Sequence, residues 1–167
     1  MKKGILMLGI VLAVMSALVI PGAVIANGAP PTTSVTGSIV EATVTVTAPS
    51  AIAFGTFVVG DNIQQSTTDG SVAITANSRN SANVHWQVTA QDLANGGYMK
   101  TGATPLNSKL LISKDGSSYA AADTGLTYTG TGPGSNVLPL WAKQNITGNE
   151  TVGSYSITIT FTGGVTA

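Results

Sequence analysis

The chain has 167 residues, seven basic and seven acidic, no formal net charge at neutral pH and no cysteine. Thiol catalysis, cysteine-bound zinc and disulfide staples are thereby excluded, so the fold must be held by its core. Only 8% of residues are charged and the basic ones are scattered. This composition argues against nucleic acid as a partner and leaves solubility to threonine, serine, asparagine and glycine.

In chain order, Lys2 and Lys3 precede an apolar run from Ile5 to Ile20; Pro21-Gly22 breaks it, and Val24-Ile25-Ala26 offers small or short residues. This is the pattern of a secretory signal peptide over residues 1–26, cut between Ala26 and Asn27. The same segment has two other readings. Ile5 to Ile25 is long enough to span a bilayer as an uncleaved anchor, and Lys3-Gly4 could be the cut point of a pilin-type leader. Cleavage after Ala26 is favoured because the apolar run is short and broken. The expected location is secreted, extracellular or on the cell surface, with membrane contact only through an uncleaved leader. Loss of Lys2 and Lys3 leaves five basic residues against seven acidic ones, a net charge of about −2 with His85 neutral.

Residues 27–37 are small, polar and proline-containing, which predicts a flexible leader; 38–167 are expected to form one domain. Val40, Ala42, Val44, Val46 and Ala48 alternate with Glu41, Thr43, Thr45 and Thr47, the period of a half-buried strand that Pro49 ends. A second strand is expected through Ile52, Phe54, Phe57 and Val59, with Gly55 marking a bulge or a close backbone approach. Asp69-Gly70 turns the chain into Val72, Ile74 and Ala76, and a polar turn over 77–83 leads to Val84, Trp86, Val88 and Ala90. Lys109 to Ser113 and Leu126 to Tyr128 are short strands. Lys114-Asp115-Gly116-Ser117 is a hairpin turn, and 130–135 reads as a loop. Pro139 makes Val137 to Ala142 an edge or bulged strand. The clearest strand is the last, with Tyr155, Ile157, Ile159 and Phe161 on one face and serine and threonine on the other. With no helical periodicity after the leader, the pattern predicts an all-β antiparallel sandwich of about eight or nine strands, immunoglobulin-like or jelly-roll-like. The 23 threonines fit it, because β-branched residues suit a pleated surface.

The chemistry-bearing residues do not assemble into a catalytic pattern. His85 is the single histidine, on a strand beside Trp86. The acids Glu41, Asp61, Asp69, Asp92, Asp115, Asp123 and Glu150 lie mostly in turns without paired spacing. Asp61, Asn62 and Asp69 offer a calcium set without the spaced acidic loop calcium usually needs. No cofactor or metal is expected. Trp86 shares its face with Val84 and Val88 and is assigned to the core. Trp141, with Tyr98, is the candidate for stacking on a sugar ring. Asn145-Ile146-Thr147 and Asn149-Glu150-Thr151 are glycosylation sequons, and their shared polar loop is expected to be exposed.

Ile52-Ala53-Phe54-Gly55-Thr56-Phe57, Thr68-Asp69-Gly70-Ser71-Val72, Tyr98-Met99 and Val152-Gly153-Ser154-Tyr155 with the strand that follows resemble, in order, the spore-coat-U-like and related fimbrial subunit domains, here in a cysteine-free version. More loosely the chain is similar to WxL-type surface proteins and to the filament subunits of biofilm matrix. The resemblance implies sandwiches that polymerise by donor-strand exchange, one subunit's extended segment completing the sheet of the next. Val40, Ala42, Val44, Val46 and Ala48 are then the candidate donor; the alternative is that they form the first strand of their own sheet, to which Pro49 joins the next segment tightly. The expected function is an exported, noncatalytic cell-surface structural subunit that self-associates or joins the cell envelope. A carbohydrate- or cell-wall-binding module with polysaccharide as partner is the contrasting class, and an exported hydrolase the third.

Overall fold

The computed structural model describes residues 34–38, 41–75 and 84–166. The expected leader with its cut point at Ala26 and Asn27, and Val40 of the candidate donor, lie outside the described residues. So does the whole of the turn over 77–83, with Ala76.

Twelve strands are present among the described residues, three of them only two residues long, and no helix. They are β1 (Val44–Thr47), β2 (Gly60–Gln65), β3 (Gly70–Ile74), β4 (His85–Gln91), β5 (Lys100–Thr101), β6 (Thr104–Pro105), β7 (Leu111–Ser113), β8 (Ala120–Ala121), β9 (Leu126–Thr131), β10 (Gly134–Leu138), β11 (Trp141–Ile146) and β12 (Thr160–Thr166). Every pairing is antiparallel, in sheets ordered β1-β3-β10, β2-β11-β7-β8 and β12-β4-β9, with a small β5-β6 ribbon. The sheets bury their apolar faces in one shared core, as an all-β sandwich requires.

The core follows the period of two. In β4, Trp86, Val88 and Ala90 are buried while His85, Gln87 and Thr89 turn outward. Two glycines let layers approach. A Cβ at Gly130, the cross-strand neighbour of Trp86, would come within 2.4 Å of the indole. A Cβ at Gly163 would come within 2.4 Å of Val46, so β1 lies directly across β12.

Four sequence expectations change. The expected strand from Ile52 to Val59 carries no strand pairing, and the ladder starts later, in β2. Gly55 is neither paired nor closely approached; its φ of +69° with open space around the Cβ position marks a left-handed kink that moves the apolar spacing from Phe54 to Phe57 out of phase. The expected loop at 130–135 is mostly strand, with only Gly132-Pro133 between β9 and β10. Pro139 divides the expected strand: β10 before it is an edge strand, as expected, but β11 after it is not. It joins β10 of one sheet to β11 of another, and Trp141 therefore starts an interior strand, between β2 and β7. The Tyr128 hydroxyl donates to the Pro139 carbonyl at 2.6 Å and fixes this crossover; burial pushes that phenol up to about 12.

A candidate strand-binding groove

The segment ahead of β12 is extended, since Tyr155, Ile157, Ile159 and Phe161 are half-buried and Ser156, Thr158 and Thr160 are exposed in strict alternation. Its main chain is nearly unpaired. Ser156 exchanges both backbone hydrogen bonds with Lys100, at 2.9 and 3.0 Å, as an isolated bridge. Along an extended strand successive residues direct their main-chain groups to opposite sides. Tyr155 and Ile157 therefore turn their N–H and C=O groups away from Lys100.

They turn towards a groove. Its other wall is the stretch 51–57, whose Ile52, Phe54 and Phe57 lean inward, the two phenylalanine rings 5.3 Å apart. Two adjoining cavities of about 420 and 780 Å³ run between the walls. Their floor is apolar, formed by Met99, Leu106, Leu110, Ile112, Leu140 and Ala142. Leu106 and Ile112 are fully buried, so the groove reaches the molecule's central core. Two walls without strand pairing, 51–57 and 157–159, thus flank cavities that reach down to buried core side chains. Unpaired main-chain groups beside an apolar floor are a poor surface for water and a good one for another strand.

The rim is held by Glu150, whose carboxylate accepts from the backbone N–H of Thr147 and of Gly148 at 2.8 Å and from the Thr147 hydroxyl. These bonds, led by the Thr147 amide, hold its carboxyl down at about 2. The Tyr155 hydroxyl donates to the Thr151 carbonyl and closes the same end.

The remaining sequence candidates are dispersed. Val44 to Thr47 form β1, hydrogen-bonded to β3 of the same chain, with Ala42, Val44 and Val46 packed against the core. Ahead of them, Val35 is 92% exposed. Tyr98 is half-buried under the Lys109 ammonium, 5.7 Å from the ring centroid, and does not line the cleft that Trp141 borders. Asn145 lies within β11 and donates to Asp61 at 2.8 Å, whereas Asn149 sits in the exposed turn after it. Asn62 is used locally, bonding Val58 and Gly60. Among the described residues no three His, Asp or Glu side chains gather as a metal set. The groove itself escaped the sequence reading, because alternation reports which side chains are buried and says nothing of whether the main chain has found a partner.

The overall fold recurs in a solved structure. The rod subunit of the P pilus, PapA, is similar. Its crystal structure superposes with a TM-score of 0.50 at 16% identity, over 74% of this chain and 99% of that one. No family model matches the chain, and no curated protein matches its sequence. The chain therefore has a fimbrial-subunit-like fold.

Proposed function

We propose that this protein is an exported, noncatalytic structural subunit of the cell surface, and that copies join by strand addition. The groove of one subunit receives the segment 34–40 of the next. The observation that carries this reading is the apolar cavity between two half-buried walls, 51–57 and 157–159, that have no strand pairing of their own. The likeness to a pilus rod subunit supports it at the level of fold.

Residues 34–40 are favoured as occupant over the strand that follows them because β1 is already paired in its own sheet. Val35, Gly37 and Ile39 share one parity with no proline among them, whereas 28–33 contain two prolines that cannot donate to a ladder. Seven residues in strand conformation span about 23 Å, the length of the alternating stretch from Tyr155 to Phe161, within which 157–159 carry no strand pairing. Two main-chain edges and alternate side-chain pockets are what a strand needs for affinity and register.

Electron microscopy and unheated SDS gels of the secreted protein test this. Filaments and a ladder are expected, both lost in a variant lacking 27–40 that remains a folded monomer, and both lost in Ile157→Lys. Filaments that persist without residues 27–40 would overturn the choice of donor, and monodisperse particles from the intact protein would overturn assembly itself.

A further inference from the structure

The outer face of the β2-β11-β7-β8 sheet carries the second tryptophan. Trp86 is 4% exposed and belongs to the core. Trp141 is only partly buried and stands between Gln65 and Ser113 in the ladder. Its ring is backed by Gly116. A Cβ there would lie 3.0 to 3.3 Å from three atoms of the six-membered ring, and the φ of +73° independently favours glycine. The turn holding Gly116 is rigid, since the Asp115 carboxylate accepts from the Ser113 hydroxyl and from the backbone N–H groups of Ser117 and Ser118. The indole is thus fixed in orientation before any ligand arrives.

The same ring borders an open cleft of about 530 Å³, lined otherwise by Ile63 and by a polar run from Gln64 to Thr67 with Asp69. Gln64, Gln65, Thr67 and Asp69 are exposed. Ser66 is 6% exposed, and its hydroxyl has no hydrogen-bond partner among the described residues. Amides, hydroxyls and one carboxylate beside a fixed aromatic plane match a pyranose ring, which offers hydroxyls at its rim and an apolar C–H face. Two residues along β11, Lys143 is held by Asp61 at 3.4 Å and lies 5.0 Å from the Tyr119 ring centroid. Its charge is already engaged, so the face does not select an anionic sugar.

We propose that Trp141, with Gln65 and Asp69, forms a subsite for a neutral glycan chain whose sugars have flat C–H faces, as in β-1,4-linked glucose or N-acetylglucosamine. The site lies apart from the groove lining and does not depend on the assembly reading. If subunits do polymerise, repetition of a single-ring site along a filament raises avidity without new contacts.

Calorimetric titration of the mature protein with cellohexaose and, separately, chitohexaose tests the site. Binding of either is expected, and the preference between them tells which glycan source the cleft fits. Trp141→Ala should weaken it roughly tenfold and Trp141→Phe less, as expected for loss of a stacked ring. Asp69→Asn, which leaves the aromatic plane intact, should also weaken binding, with the melting temperature of each variant read alongside. The Ile157→Lys groove variant should bind as the parent does. No heat with either sugar, undiminished binding by a folded Trp141→Ala variant, or tighter binding of choline than of both sugars would overturn the proposal.

Discussion

The β12-β4-β9 sheet and the groove wall from Val152 to Ile159 are built from the same kind of sequence, apolar residues alternating with hydroxyls, yet they reach different ends. In β4 both main-chain edges are paired and the apolar face is sealed; Val88 and Ala90 have no exposed surface. In the groove wall the same alternation leaves the apolar face half-covered and one main-chain edge open. The difference lies in the neighbours. β4 has a full strand on each side, whereas the wall has a single bridge to Lys100 on one side and a cavity on the other.

The largest expected contrast is in hydrogen exchange. Amides of Val88 and Ala90 should exchange only on global unfolding, at about 5–15 kcal/mol for a domain of this size, while those of Tyr155 and Ile157 should exchange with almost no protection. Mass-spectrometric or NMR exchange reads this directly, and equal protection of the two regions in a monomer would erase the distinction. Next, Trp86→Ala should cost about 3–5 kcal/mol in urea unfolding, because it empties the centre of the sealed layer against Gly130. Tyr128→Phe should cost about 1–3 kcal/mol by leaving the Pro139 carbonyl without its donor, with little change in the m-value. Ile157→Ala should cost the monomer less than about 1 kcal/mol, since the side chain is only half-buried, and yet reduce assembly sharply. An unfolding loss matching that of Trp86→Ala would show that the groove floor is already closed.

The smallest effect concerns the rim. Glu150 has its carboxyl lowered from 4.5 to about 2, so its contribution is fully present above pH 4.5 and is lost as pH falls from there towards 2. Exchange at the Thr147 and Gly148 amides should quicken across that window, and Glu150→Gln should flatten the response.

Period-two patterning was enough to place β1, β3, β4 and the burial of the final segment, because side-chain partition into a core is a local consequence of alternation. The hairpin at Asp115-Gly116 was equally legible, since its φ demands glycine and its carboxylate caps the turn. β2 was not. Its sequence, Gly-Asp-Asn-Ile-Gln-Gln, has no apolar alternation, and it is a strand because β11 lies beside it. Pro139 signalled an interruption, but only the tertiary structure decided that the interruption carries the chain from one sheet to another and brings Trp141 to an interior strand. The groove belongs to the same class. Sequence determined which residues of 51–57 and 152–161 turn inward; the distance between the two walls, and hence the vacancy between their main chains, is a non-local property that no window of residues encodes.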